Sequence, residues 1–190
     1  MSVEINKSLV ESNPYYITRV EVSETKRNSL LQKADEWSNN VGALNGSIEN
    51  GGGNVAGRYG ELLFQELFGG RIADHYEYDI VYNGLTIDVK TKRRTVKAKP
   101  NYEASIADWN PDQNCDLYYF MSVRVGDVDE PYKYTDLLGY IPPNEYHNKS
   151  TFHKQGEKDP SNGFEFSADC HNLTYDKLKR KSDINKEVKL

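Results

Sequence analysis

The dipeptide Asn83-Gly84, which stands between two short stretches of β-forming residues, limits the fold more than any other feature of the sequence. An Asn-Gly pair in this setting is the strongest short-range signal for a β-hairpin with a two-residue turn. If only these two residues are unpaired, Asp79 faces Asp88 directly across the ladder. Because side chains alternate along a strand, one face would carry Asp79, Thr86, Asp88 and Lys90, and the other Tyr78, Ile80, Tyr82, Leu85, Ile87 and Val89. The second face is predicted to enter the core, which leaves the first for chemistry.

Two aspartates in direct register repel each other, since their Cβ atoms lie about 5 Å apart in such a pair. A divalent cation held between Asp79 and Asp88 would turn this repulsion into coordination. Hard carboxylate oxygens suit Mg²⁺ or Mn²⁺ better than zinc. Lys90 follows Asp88 on the same face and would place a positive charge beside the ion. The hairpin therefore predicts a magnesium or manganese site.

Length and charge exclude several classes of protein. With 190 residues the chain suits a single domain with its own hydrophobic core. A net charge of −5 argues against a protein that coats nucleic acid by bulk electrostatics, so any contact with a polyanion must be local. Cys115 and Cys170 are too few for a disulfide framework, and the sequence has no apolar run typical of a signal peptide or a membrane span. We expect a cytoplasmic, intracellular protein without membrane association.

The composition divides this single domain into three regions. The sequence predicts an N-terminal helical and flexible segment over 1–54, a core over 55–142 and a peripheral region over 143–190. Composition and pattern further predict a flexible connection at Ser38 to Asn54, a long loop at Tyr146 to Gly163, an edge strand at Phe164 to Phe166 and a terminal basic helix at Tyr175 to Lys181.

The core region begins with the best helix of the chain, predicted from Val55 to Phe68. Apolar residues recur there at helical spacing, Glu61 lies at the edge of the apolar stripe, and Gly69-Gly70 ends the helix. After the hairpin, strands are predicted at Asn101 to Ile106, Leu117 to Val125 and Leu137 to Ile141. This order of elements predicts an α/β fold with a central mixed β-sheet flanked by helices.

A helix with Glu61, followed by Asp79 and then by Asp88-Val89-Lys90 on the second strand of a hairpin, resembles the PD-(D/E)XK nuclease superfamily of restriction endonucleases and phage exonucleases. Tyr78-Asp79 stands where the family often has Pro-Asp, whereas Asp88-Val89-Lys90 matches the second half of the motif fully. The resemblance is good over residues 57–92. Thr91-Lys92-Arg93-Arg94 and Leu138-Gly139-Tyr140-Ile141 also look similar to small phage-type nucleases. The resemblance implies a restriction-endonuclease-like core.

The resemblance also implies a role for each residue of the motif. Asp79 and Asp88 would bind Mg²⁺ or Mn²⁺, with the Val89 main-chain carbonyl as a further ligand, and Glu61 would reach the metal directly or through water. Lys90 would position or help to deprotonate the attacking water, or stabilise the charge that builds on the phosphate oxygens. Phosphodiester hydrolysis needs a nucleophile and charge neutralisation, which a carboxylate-held metal and a preorganised cation supply. For Glu61 an ordinary helix acid paired with Arg58 remains the alternative.

A cluster of cations follows the acids in an otherwise acidic chain: Lys90, Lys92, Arg93, Arg94, Lys97 and Lys99. Beside a metal site, Lys92, Arg93, Arg94 and Lys97 would contact backbone phosphates, giving affinity that depends on salt and not on sequence. A soluble edge strand protected from aggregation by its charges is the alternative.

Together these features predict a Mg²⁺-dependent deoxyribonuclease, in particular an endonuclease, with DNA as its partner and a homodimer as a plausible assembly. Two alternatives stay open. One is a non-catalytic nucleic-acid-binding module that keeps the nuclease fold, and the other is an accessory protein in which the hairpin is merely an exposed face.

Overall fold

The computed structural model describes residues 17–41, 54–73, 75–108, 114–126, 130–160 and 163–179. These residues form nine strands, three α-helices and one short 3-10 helix. In chain order they are β1 (Thr18–Glu21), α1 (Glu24–Val41), α2 (Asn54–Phe68), β2 (Arg71–Ile72), β3 (Ile80–Tyr82), β4 (Leu85–Arg94), β5 (Glu103–Ala107), β6 (Leu117–Arg124), β7 (Tyr134–Ile141), α3 (Pro143–Lys149), β8 (Thr151–His153), β9 (Cys170–Thr174) and the 3-10 helix Tyr175–Lys177.

The centre of the fold is a six-stranded mixed sheet with the order β1-β7-β6-β4-β3-β2. Its neighbouring strands are antiparallel except β4 and β6, which run parallel from the pair Ile87–Leu117 to the pair Arg94–Arg124. The predicted α/β class with a central mixed sheet is confirmed. The predicted strands at β5, β6 and β7 are confirmed to within a few residues.

Different layers cover the two faces of this sheet. On one face α1 and α2 pack through residues such as Leu30, Tyr59 and Phe64 against the strands. On the other face the cover is a second sheet, with the order β5-β9-β8, together with α3. The predicted flanking helices are thus present, and the second sheet is an additional cover on one face. Because both faces are covered, β6 is buried from Leu117 to Val123 and shows no alternation.

Helix α2 forms as the periodicity predicts and packs unusually close to β4. Ala56, Tyr59 and Leu63 are buried on one side of the helix. Gly69 and Gly70, with φ of 89° and 95°, end it in a conformation that other residues rarely adopt. Gly60 faces Thr91 of β4 at a distance that leaves no room for a Cβ atom. This close approach sets the position of Glu61, the next residue of the helix, over the sheet.

The prediction of a long loop from Tyr146 to Gly163 is wrong for its first part, where α3 ends and β8 follows. The reason is one buried side chain in a polar segment. Tyr146 is fully buried, and its hydroxyl donates a hydrogen bond to the His171 carbonyl at 2.6 Å and lies 3.1 Å from the Ala104 carbonyl. Phe164 to Phe166 forms a single bridge, Lys158 to Glu165, in place of an edge strand.

Both ends of the described chain also depart from the prediction. β1 lies in the segment predicted to be helical, where it pairs with β7 and buries Val20. Ser38 to Val41 belongs to α1, whereas residues 42–53 of the predicted flexible connection lie outside the described residues. Of the predicted terminal helix, only the 3-10 turn Tyr175–Lys177 is observed, and residues 180 and 181 lie outside the described part.

Candidate functional site

The β3–β4 hairpin has the predicted turn and register. Asn83 and Gly84 have φ of 49° and 83°, as a type I′ turn requires. Tyr82 pairs with Leu85 and Ile80 with Ile87. The turn thus sets which residues of β4 face each side of the sheet. Ile87 and Val89 enter the core beneath α2, while Asp88 and Lys90 face the opposite side.

Asp79 does not pair directly with Asp88, and this part of the prediction is wrong. The ladder ends at the pair Ile80–Ile87, and the Asp79 N–H donates to the Ile87 carbonyl at 2.9 Å. Asp79 lies in a bend just before β3, outside the strand. The Asp79 carboxylate is turned to the β4 backbone, where Oδ2 accepts the Val89 N–H at 2.7 Å. The bend ends the regular pairing yet keeps the carboxylate at β4.

Asp88 and Lys90 form an ion pair on the face of β4 opposite α2. The Lys90 Nζ lies 2.7 Å from Asp88 Oδ2, and the Asp88 side chain is only 4% exposed whereas that of Lys90 is 33% exposed. Burial disfavours the charged Lys90, but the charges of Asp88 and Asp79 outweigh it and raise the lysine pKa. Lys90 is therefore a stable cation whose ammonium reaches the surface beside a buried acid.

Glu61 lies on α2, which covers the face of the sheet opposite Asp88 and Lys90. Its side chain is buried and accepts a hydrogen bond from Arg58 Nη1 at 2.8 Å, and the Arg58 guanidinium lies 5.0 Å from the Trp37 ring. The pairing with Arg58 that the sequence left open as an alternative is thus observed. Glu61 also contributes to the electrostatics of Asp79, so the ion pair does not remove it from the site.

The charges of both other acids act on Asp79. Burial raises the Asp79 pKa well above its ordinary value, and the negative charges of Asp88 and Glu61 raise it further. Lys90 and the Val89 N–H lower it, but they do not compensate. Asp79 is therefore the acid whose charge is least compensated, whereas Glu61 and Asp88 each have a cation partner.

The donor set fits a hard divalent cation, because carboxylate and carbonyl oxygens are the ligands that Mg²⁺ and Mn²⁺ prefer. Asp79, Asp88, Glu61 and the Val89 carbonyl would be the ligands, and a cation would relieve the repulsion that raises the Asp79 pKa. As the side chains lie, no three His, Cys, Asp or Glu residues of the described ranges are grouped closely enough to hold an ion. The Glu61 and Asp88 carboxylates are bound instead to Arg58 and Lys90. Metal binding would require these side chains to turn.

The cations that follow the site differ in their surroundings. Arg93 and Lys97 are exposed, and the Lys92 Nζ contacts Ser105 Oγ at 3.3 Å. Arg94 is turned inward: its guanidinium lies over the rings of Tyr102 and Tyr175 and donates to the Glu103 carbonyl. These contacts give Arg94 a structural role in joining β4 to the small sheet, in place of the surface position that phosphate binding requires.

Sequence reasoning missed two residues at the site, Cys115 and Tyr118. Tyr118 pairs with Asp88 in the parallel β4–β6 ladder, and Cys115 lies just before β6. Burial and the charge of Asp88 raise the pKa of both side chains to about 12, although burial dominates. No motif marks either residue, because their place depends on which distant strand pairs with β4.

In the described part of the chain, no helix has the length and apolar character needed to cross a membrane.

Comparisons with known proteins leave the family of the chain undetermined. The chain matches no protein-family model, and a search of curated proteins finds no significant match. Function must therefore be inferred from the geometry and chemistry of the site.

Proposed function

We propose that this protein is a metal-dependent nuclease that hydrolyses DNA phosphodiester bonds internally, with a restriction-endonuclease-like core of the PD-(D/E)XK type. The observation that carries the proposal is the position of the Asp79 carboxylate, which is bound to the Val89 N–H between the ion-paired residues Asp88 and Lys90. Two acids side by side cost stability unless a cation compensates them, and the charge of Glu61 adds to the repulsion at Asp79. A cation-binding site explains this cost.

In this proposal Asp79, Asp88, Glu61 and the Val89 carbonyl hold Mg²⁺ or Mn²⁺. A bound divalent ion supplies a water of lowered pKa and neutralises charge that develops on the phosphate. The direction of the Asp79 carboxylate supports the proposal, since Oδ2 is held at the β4 backbone by the Val89 N–H at 2.7 Å.

Lys90 is proposed to stabilise negative charge on the scissile phosphate. Its ammonium pairs with Asp88 and its side chain is one-third exposed, so that it can reach an oxygen of a bound phosphodiester. A fixed cation beside the reacting group lowers the barrier without any reorganisation during the reaction. An ion-paired ammonium suits this role better than that of a proton acceptor.

Binding of the DNA backbone is proposed for Lys92, Arg93 and Lys97, which continue from β4 beyond the site. Arg94 is left out, because its guanidinium is held by Tyr102 and Tyr175. Since the whole chain is acidic, these cations would direct the duplex to one side of the molecule. A homodimer would place one site on each strand of the duplex.

The test is cleavage of a supercoiled plasmid with Mg²⁺ or Mn²⁺, followed as nicked and linear products, because a closed circle offers no end to an exonuclease. We expect Asp79→Asn, Asp88→Asn and Lys90→Met to lose cleavage by about 100-fold or more each. Glu61→Gln should lose activity, whereas Glu66→Gln is its matched control, since Glu66 lies on the same helix in a surface pair with Lys26. Lys99→Met, an exposed lysine beside Tyr102, is the control for Lys90→Met. Full activity in the Asp79, Asp88 and Lys90 variants would disprove the proposal that these residues form the active site of a nuclease.

A non-catalytic DNA-binding protein with the same fold is the second candidate. The observation that favours it is that the Glu61 and Asp88 carboxylates already form ion pairs with Arg58 and Lys90. Titration calorimetry with Mn²⁺ separates the two functions. If the protein is a nuclease, it should bind Mn²⁺, and Asp88→Asn should remove this binding. If it is a DNA-binding module, it should retain DNA at low salt without any affinity for Mn²⁺.

A further inference from the structure

Tyr118 is the neighbour of Asp88 on the adjacent strand. The two residues pair in the parallel β4–β6 ladder, as do Lys90 and Phe120, so Tyr118 lies on the face of the sheet that carries Asp88 and Lys90. The next residue, Tyr119, enters the opposite core beneath α2. Two consecutive tyrosines therefore point to different environments, only one of which is the site.

The ring of Tyr118 is held firmly. The residue is 3% exposed, and its ring makes edge contacts with Tyr146 at 5.7 Å and with His147 at 6.3 Å. Such packing leaves the side chain little freedom. Its hydroxyl is therefore fixed before a substrate arrives, which is the property a group needs to contribute to catalysis.

The hydroxyl of Tyr118 makes no hydrogen bond in the described part of the chain, and the charged side chains that act on it are Asp88 and Lys90. Such a hydroxyl adds nothing to folding that phenylalanine in the same space would not supply. The Tyr119 hydroxyl is fully buried without a partner, and only burial raises its pKa. The two tyrosines thus lie in different cores, and only Tyr118 lies beside the charges of the site.

We propose that the Tyr118 hydroxyl is a catalytic group that donates a hydrogen bond to a non-bridging phosphate oxygen of the DNA bound at Asp79, Asp88 and Lys90. This inference rests on the proposed nuclease function. Tyr118 stays protonated at neutral pH, because burial raises its pKa to about 12. Because the Tyr118 hydroxyl is neutral, it does not attract a second cation to the acids Asp79 and Asp88. It can donate to an anionic phosphate oxygen from β6, the strand next to β4.

The experiment compares Tyr118→Phe with Tyr119→Phe in the plasmid assay and on a short duplex with a single cleavable phosphate. Loss of one hydrogen bond to a charged oxygen should reduce kcat about 10- to 100-fold in Tyr118→Phe. Tyr119→Phe should stay within about 3-fold of the wild type, since it removes a hydroxyl that faces only core. Affinity for the duplex, measured by fluorescence anisotropy in EDTA, should change little in either variant.

A phosphorothioate at the cleaved position tests whether the contact is to phosphate. Sulfur accepts hydrogen bonds poorly, so the effect of Tyr118→Phe should shrink on one of the two stereoisomers and persist on the other. A loss of equal size on both stereoisomers, or wild-type rates in Tyr118→Phe, would overturn the role of Tyr118 and leave the nuclease intact. No cleavage by the wild-type protein would overturn both.

Discussion

Replacing Gly60 with alanine should push α2 away from the site. A Cβ at Gly60 would lie 1.8 Å from Thr91 Oγ1 and 2.9 Å from Thr91 Cβ, whereas ordinary contact begins at 3.4 Å. Rotation of the Thr91 side chain cannot remove the second clash, because its Cβ is fixed to the β4 backbone. The helix must therefore shift, and Glu61, the next residue, shifts with it relative to Asp79.

Gly57 on the same helix provides the matched control, since a Cβ there meets nothing within 4 Å. Alanine in place of glycine within a helix stabilises it by about 1 kcal/mol, which Gly57→Ala should show in full. Gly60→Ala gains the same amount but overpacks the interface, at a cost of about 1–3 kcal/mol or more. The free energy of unfolding of Gly60→Ala should thus be about 1–3 kcal/mol lower than that of Gly57→Ala.

Urea denaturation of both variants, followed by far-UV circular dichroism, measures this difference directly. The double variant Gly60→Ala/Thr91→Ala removes the shorter clash and should recover part of the loss, which a double-mutant cycle quantifies. In the cleavage assay Gly60→Ala should lose activity while Gly57→Ala keeps it. Equal stability of the two single variants would refute the close contact between α2 and β4.

Two further predictions concern charge. Asp79→Asn keeps an acceptor for the Val89 N–H. Because the pKa of Asp79 is raised by burial and by Asp88 and Glu61, the wild type loses unfolding free energy as pH rises from about 4 through that pKa. The free energy of unfolding of Asp79→Asn relative to the wild type, measured by urea denaturation in EDTA, should grow between pH 4 and pH 8. A difference that stays constant over this range would contradict the prediction. Arg94→Ala should lower stability by about 1–3 kcal/mol, since Arg94 stacks on Tyr102 and Tyr175. Arg93→Ala should cost less stability but weaken DNA binding and reduce its salt slope by about 1. Thermal unfolding and anisotropy at several salt concentrations check this pair, and the opposite ranking would count against the inward position of Arg94.

The identities of the acids could be predicted, but their geometry could not. An Asn-Gly turn identifies β3 and β4, and alternation then places Asp88 and Lys90 on one face, as observed. The same alternation, continued one residue too far, places Asp79 opposite Asp88. The observed strand begins only at Ile80, and Asp79 lies in the bend before it. The exact end of a strand leaves little trace in a sequence, because composition and propensity hardly change from one residue to the next.

Local patterns were sufficient to predict the elements that depend on neighbouring residues: the hairpin turn, the helix α2 with its glycine end, and the strand β6. Backbone preferences and periodicity act over a few residues, so a short stretch carries them completely. By contrast, the positions of Tyr118 beside Asp88, of the inward Arg94 and of the buried Tyr146 depend on the folded chain as a whole. These placements follow from which distant strands pair and which side chains fill the space between two sheets. That choice is made by packing of the whole chain, which no local pattern records.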